Sequence, residues 1–308
     1  MNQPIICFGE MLWDMLPSGK QPGGAPMNVA VHFTRNGLTP LLVSRVGNDE
    51  PGAALLEFVR QQGLSTQWVQ SGPMHRTGIV HADVSDKNEV SYQIVKPVAW
   101  DYIQYAEEVA DLVRQSSLFI YGSLAARCKT SHETLRKYLG LAPVKVLDVN
   151  LRSPHYTPQR VQELMECAHM IKLNHHELAE ITDWFGGPKK KTEEANMEYL
   201  LAKLGLDLLI VTRGEKGAAV LTHEQYTEHP GFAVEVADTI GSGDAFLAAF
   251  LSQWMKHNNP EKALAFACAT GAWVATQPGA TPAFSEATIE DFLRESLHSK
   301  SLPSIITG

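Results

Sequence analysis

Short apolar runs alternate with segments of helical periodicity along most of this chain, and that alternation limits its fold more than any other feature. The runs at 5–8, 41–46, 118–121, 145–149 and 208–212 are each four to six residues long and mostly apolar. Continuous runs of that length suit strands buried on both faces, as in a parallel sheet. Helical patterns fill the intervals at 49–62, 105–115, 131–141 and 158–168, and parallel neighbours need such crossovers. The fold class expected is therefore α/β: a doubly wound, mostly parallel sheet with helices on both faces. With 308 residues, 44% of them hydrophobic, the chain can bury the core of one large α/β domain or two smaller ones.

The rhythm breaks once, between residues 76 and 101. The β-branched segments 77–84 and 89–95 are joined by Ser85-Asp86-Lys87-Asn88, a hairpin signal. A hairpin inserted into an α/β chain suits a flap or lid, and 11–16 can supply it with a further strand. Asp14 within that piece either faces a polar ligand from the rim or sits in an exposed turn. Residues 17–26 are rich in Gly and Pro and are given no element. The first helix starts after Gly23-Gly24, with Pro26 early in it and Gly37 past its end. Asn28, in its first turn, serves either the helix start or a ligand lying over the glycine backbone.

The stretch Asp238-Thr-Ile-Gly-Ser-Gly-Asp-Ala-Phe246 opens into the helical run 244–256. Gly241 and Gly243 let the amides of Gly241, Ser242 and Gly243 converge where the helix dipole is positive, a nest for an anion. Asp244 beside such a nest repels phosphate unless it takes a proton from an attacking hydroxyl; an ordinary helix start with an acidic first turn is the plainer alternative. Polar groups also end several strands: Asp148 and Asn150 two apart on an extended segment, Asn174 and Glu177 three apart at a helix start. Each pair can order hydrated Mg²⁺ or phosphate oxygens, although the second pair also reads as a capping box. Arg213 to Gly217 forms a turn, 226–236 extends toward the nest, and 261–277 is dense in small residues, as tight helix packing requires.

A net charge of −8, with no basic stripe beyond Lys189-Lys190-Lys191, excludes a nucleic-acid or anionic-membrane surface. Cys7, Cys128, Cys167 and Cys268 show no metal or disulfide spacing. No signal-like start or membrane-length span occurs, so a cytoplasmic location is expected.

Jointly, Gly23-Gly24-Ala-Pro-Met-Asn-Val-Ala30 and the 238–246 stretch resemble the two signatures of the PfkB, or ribokinase-like, sugar and nucleoside kinases. Asp148-x-Asn-x-Arg152, Asn174-x-x-Glu177 and Thr212-Arg-Gly-Glu-Lys-Gly-Ala218 extend the resemblance along the whole chain. It implies one ribokinase-like kinase domain over 1–308, with a lid from about 11–17 and 76–100. It also implies an ATP-dependent enzyme that phosphorylates a primary hydroxyl of a sugar. By the same resemblance Asp244 is the catalytic base and the amides of Gly241, Ser242 and Gly243 are the anion hole. Asp14, Gly24, Asn28, Tyr92 and Arg152 contact the sugar. Asn174, Thr212, Gly214, Gly217, Gly241 and Gly243 serve the nucleotide, Glu177 serves Mg²⁺ through water, and the carbonyls of Asp238 and Ile240 serve a monovalent cation such as K⁺. A homodimer through the lid is implied as well.

Ile240 and Ser242 depart from the residues common in the second signature, but the anion hole acts through backbone amides. Neither Ala25 nor Pro26 is the Lys of ribokinase-type members, which tilts the resemblance to the fructokinase branch. A 2-keto-3-deoxygluconate kinase is the rival, and its acidic substrate calls for a cation such as Lys96 or Arg152. A silent sugar-binding regulator would lack Asp244, which is present. A nicotinamide enzyme would show Gly-x-Gly-x-x-Gly after the first strand, which is absent.

Overall fold

The computed structural model of the chain describes residues 3–16, 19–86, 89–187 and 192–301. Pro17 of the expected lid, the hairpin tip at Lys87-Asn88, the Lys189–Lys191 run and the tail from 302 lie outside the described residues, as does the side chain of Tyr92. The chain opens with β1 (Ile5–Phe8) and passes into β2 (Leu12–Leu16), along which β3 (Gly19–Gly23) returns. Next come α1 (Ala25–Arg35), β4 (Pro40–Gly47), α2 (Glu50–Gln61), β5 (Val69–Gly72) and the hairpin β6 (Gly78–Asp86) and β7 (Glu89–Ile94). The middle of the chain supplies α3 (Glu107–Arg114), β8 (Leu118–Gly122), α4 (Lys129–Leu139), β9 (Lys145–Asp148), α5 (Pro158–Glu166) and β10 (Met170–Asn174). After α6 (His175–Trp184) and α7 (Glu193–Leu204) come β11 (Leu208–Thr212), β12 (Ala218–Thr222) and β13 (Tyr226–His229), then α8 (Ser242–His257), α9 (Pro260–Ala275) and α10 (Glu286–Ser301).

Nine of these strands form one sheet in the order β13-β12-β11-β10-β9-β8-β1-β4-β5. Every pairing from β5 to β11 is parallel, and only β12 and β13 run antiparallel at one edge. Side chains leave a strand alternately to its two faces, which builds two cores. Ile5 and Cys7 join the layer of α1, α2, α8, α9 and α10, whereas Ile6 and Phe8 join the layer of α3 to α7. The doubly wound, mostly parallel sheet covered on both faces, a ribokinase-like arrangement, is what the alternation demands. The small residues of α9 pack close on α8: Gly271 faces the first turn of α8, where an added Cβ would sit 3.3 Å from the Ser242 carbonyl oxygen.

A second sheet has the order β3-β2-β6-β7, with β2 parallel to β6 and the outer pairs antiparallel. The hairpin and its contribution from 11–16 are there, but β3 was given no element in the sequence. Gly-Lys-Gln-Pro-Gly has no strand propensity of its own, and its extended form comes from pairing with β2, Trp13 opposite Pro22 and Asp14 opposite Gln21. Proline is tolerated there because β3 is an edge strand. The short edge strand β5 of the main sheet escaped notice for the same reason, and the extended segment expected over 226–236 ends as a strand at His229.

From β1 the chain moves to β4 on one side and later to β8 on the other, so the strand order reverses between β1 and β8. In such sheets the crevice outside the carboxyl ends at this switch is where ligands bind. Glu10 and Leu124, just past the ends of β1 and β8, line one cavity there with residues of the second sheet. Among the described residues no helix is long and apolar enough to cross a membrane.

Candidate active site

Gly241 caps α8 with a left-handed φ of 77°. A side chain there would also strike the Ala280 main chain, so conformation and contact both require glycine. Asp238 ties down the turn before it: Oδ1 accepts the Ile240 amide at 2.9 Å and Oδ2 the Gly279 amide at 3.3 Å. His32 on α1 fixes the other side of the contact, with Nε2 2.9 Å from the Ala280 carbonyl oxygen. Burial lowers His32 to about 4, so the ring is neutral at physiological pH and Nε2 donates.

Of the three amides expected to converge, that of Ser242 is turned away. It donates to the Thr239 carbonyl at 3.3 Å, and the Ser242 hydroxyl donates to the same oxygen at 2.8 Å. Gly241 and Gly243 line a cavity of about 480 Å³, and their amides meet no acceptor among the described residues. The nest thus keeps two of its three expected members, at the positive end of a 16-residue helix.

Asp244 follows in the first turn, 9% exposed. Its Oδ2 accepts a 2.9 Å bond from Asn28 Nδ2 of α1, while Oδ1 meets no donor among the described residues. Burial, reinforced by the charge of Asp148, lifts its carboxyl to about 6, against the pull of Lys172 and Asn28. Lys172, a polar strand-end residue with no role expected from the sequence, stands beside it. It projects from β10 with Nζ 3.0 and 3.2 Å from the Asp148 carboxylate oxygens, and an added Cβ on Gly243 would sit 3.3 Å from that Nζ. Burial opposes its charge, but Asp148 and Asp244 outweigh burial and hold its pKa above the ordinary lysine value. The available signal was a lone cation inside Met-Ile-Lys-Leu-Asn, a strand otherwise fit for burial on both faces.

That ion pair corrects one expectation. β9 ends at Asp148, Asn150 turns to a φ of 42°, and the Asp148 carboxylate is taken by Lys172. Asp148 and Asn150 therefore do not present a shared face to Mg²⁺, and Asn150 alone lines the cavity. The capping box forms as the alternative foresaw: Asn174 Oδ1 accepts the His176 and Glu177 amides at 2.9 Å, and Glu177 Oε2 accepts the Asn174 amide at 2.8 Å. Glu177 Oε1 also accepts the Leu151 amide at 2.8 Å.

Of the residues expected to contact the sugar, Asp14, Gly24, Asn28 and Arg152 line one cavity with Asp244, and Glu10 joins them. Leu12, Val80 and Ile94 of the second sheet form an apolar wall. Burial raises Asp14 to about 6, and Arg152 counters it. Asn174, Thr212, Gly214 and Gly217 do not line this cavity. Asn174 and Thr212 are paired across β10 and β11, farther along the same carboxyl edge, with Gly214 and Gly217 in the following turn. Gly217 is glycine for conformation and packing alike, with a φ of 78° and no room for a Cβ against the His229 carbonyl. Among the described residues no three His, Cys, Asp or Glu side chains gather into a metal cluster. A concavity of about 450 Å³ between β13 and α9 holds none of the candidate residues.

A family model for the pfkB family carbohydrate kinases matches residues 18–287. The probable fructokinase-5 of Arabidopsis thaliana is 31% identical over 312 residues, covering 92% of this chain and 94% of that protein. A fructokinase structure from Vibrio cholerae O395, bound to fructose, ADP and a calcium ion, is 26% identical with a TM-score of 0.80, over 94% of this chain and 99% of that one. The fructokinase of Xylella fastidiosa with bound ATP shares the fold at a TM-score of 0.84 and 22% identity, over 96% of this chain and 99% of that one.

Proposed function

Since the chain belongs to the pfkB family of carbohydrate kinases, and is thereby a phosphotransferase acting on a sugar hydroxyl, we propose that its acceptor is a neutral hexose, D-fructose, phosphorylated by ATP at a primary hydroxyl. The observation that carries this choice is the charge of the cavity. Glu10, Asp14 and Asp244 line it against Arg152 and Lys172, and Lys172 is already neutralised by Asp148. A substrate carboxylate would meet three acids and one cation without an ion-pair partner among the described residues. Lys96, which an acidic substrate would call for, donates to the Arg127 carbonyl at 3.4 Å and does not line the cavity. Relatives named fructokinase over nearly the full chain support the same reading. Arg152 is the one feature that favours 2-keto-3-deoxygluconate as the second candidate.

In this reading Asp244 Oδ1 takes the proton of the attacking hydroxyl while Asn28 holds Oδ2 and so fixes the plane of the carboxylate. The amides of Gly241 and Gly243, with the Lys172 ammonium beside them, receive the charge of the transferring group. Free amides at a helix start fit a polyphosphate, and Asn174, Thr212, Gly214 and Gly217 continue the same edge toward the nucleotide. With no acidic cluster among the described residues, the site suits a Mg²⁺ ion held mainly by phosphate and water, Glu177 standing behind the water; K⁺ at the Asp238 and Ile240 carbonyls completes the set. Bound Mg²⁺ neutralises phosphate charge, and ATP supplies the phosphoryl group. The whole chain acts as one kinase domain whose second sheet, with Tyr92 on β7, serves as a lid that excludes water and as the surface of a homodimer.

The test is ADP release from Mg-ATP with fructose, 2-keto-3-deoxygluconate, ribose, mannose, glucose and adenosine, beside a blank without acceptor. Fructose is expected to give the highest kcat/KM. Asp244→Ala should lower kcat by roughly 10²–10⁴-fold, the usual worth of a positioned base, with nucleotide affinity retained. Preference for another acceptor sinks the fructose reading, and near-native turnover of the variant sinks the base assignment.

A further inference from the structure

Glu10 stands one residue past Gly9 at the reversal of strand order, and the roles assigned above leave it without a task. It is 3% exposed, lines the same cavity as Asp14, Asn28 and Asp244, and its Oε2 meets no donor among the described residues. Leaving a buried acceptor unmet is destabilising, and the one bond that bears on the carboxylate comes from the Glu10 main chain itself. The main chain there is already fixed by Gly24, whose position leaves no room for a Cβ against the Glu10 carbonyl. The charges that bear on it are Asp244 of α8 and the guanidinium groups of Arg152 and Arg127. Arg127 is committed elsewhere, in a buried pair with Asp101 at 2.7 and 2.9 Å and over the Trp100 ring at 3.9 Å. Arg152 and the remaining guanidinium nitrogen of Arg127 act on Glu10 through their charge, but neither forms an ion pair with it among the described residues, and an acceptor kept buried and unmet beside a ligand cavity is an acceptor kept for the ligand.

We propose that Glu10 is a further sugar-contacting residue: it receives a hydroxyl of a neutral polyol and sets the cavity against sugar acids. The inference rests on the sugar-kinase reading and names the group that enforces its choice of a neutral acceptor. A site built to bind a hydroxyl rejects analogues that leave its buried polar groups unpaired, and a carboxylate here would add repulsion. Burial, with the Asp244 charge behind it, lifts the Glu10 carboxyl to about 7. Near neutrality it thus exists in both forms, one able to donate to a hydroxyl as well as accept from it.

The experiment begins with the acceptor panel on the wild type, which decides the fructose reading by itself; Glu10 is then judged on whichever neutral sugar is accepted. Glu10→Ala should raise KM for that sugar roughly tenfold, the worth of a hydrogen bond to a charged group, with kcat and KM for ATP little changed. Glu10→Gln keeps the shape and removes the titration, so it should flatten the pH dependence of the sugar KM near neutrality and narrow the preference over 2-keto-3-deoxygluconate. Both variants should melt at or above the wild-type temperature, because each removes a buried unmet carboxyl; a merely structural residue would do the reverse. An unchanged sugar KM in both variants overturns the proposal even if fructose is the substrate. So does a raised KM accompanied by a lower melting temperature in both, or a wild type that prefers the sugar acid.

Discussion

Asn28 and Asp244 are separated by 216 residues of chain and by 2.9 Å in space. That bond fixes one carboxylate oxygen and leaves the other without a donor among the described residues, so the base of the proposed mechanism is aimed before a sugar arrives. Its elevated pKa gives a signed expectation. A carboxyl held at about 6 when folded is protonated below that pH and cannot accept a proton, so kcat/KM should fall on the acid side with a midpoint near 6. Stability runs the other way: the native state binds the proton more tightly than the unfolded chain, so rising pH through this window removes stability. Asp244→Asn should therefore melt above the wild type by a margin that widens as pH rises from about 4 to 7 and is flat beyond. Melting curves of the two proteins across that range check it, and a margin that shrinks with pH would contradict the assignment. Asp244 itself was legible, because an acid after Gly-Ser-Gly is a local pattern. Its partner's role and the Lys172–Asp148 pair were not, since contacts between distant strands and helices leave no spacing to read.

At the scale of elements, the start of α8 depends on three segments meeting: the turn at 238–241, the loop at 278–280 and α1. The two glycines of the nest are glycine for different reasons, which separates two substitutions. At Gly241 the φ of 77° and the Ala280 backbone both oppose a side chain. At Gly243 the nearest obstacle is the end of the flexible Lys172 side chain, 3.3 Å away. Gly241→Ala should lower the melting temperature and, by displacing the amide rather than removing it, cut kcat by up to roughly 10²–10³-fold, the worth of one oxyanion-type donor. Gly243→Ala should fold normally and lose activity less. Equal effects of the two on melting temperature would show that the Ala280 contact does not constrain the nest. Interior strands of the main sheet such as β1, β8 and β11 were legible because burial on both faces writes itself as an apolar run. β3 and β5 were not, because an edge strand is held by its neighbour's hydrogen bonds more than by its own side chains.

For the molecule as a whole, two sheets share one cavity. Gly241, Gly243 and Asp244 belong to the main layers, whereas Leu12, Asp14, Val80 and Ile94 belong to the second sheet. A sugar touching Asp14 and Asp244 bridges the two bodies. Hydrogen exchange over 12–16 and 19–23 should therefore slow on adding the accepted sugar without nucleotide, and exchange in α3 to α7 should not change. Protection confined to α8 would mean that the second sheet takes no part in binding. The division has a further consequence. Glu10, Asp14, Gly24 and Asn28 fall within one stretch of 19 residues, and the turn and base fall within another at 238–244. The passages between the sheets run through Gly9 and Gly24 at φ 145° and 114°, so the first stretch carries its own backbone geometry with it. On the proposed reading, most of the residues that contact the acceptor and those that perform the transfer thus lie in separate blocks of the chain, and substitutions in the first can retune the sugar while the second stays as it is.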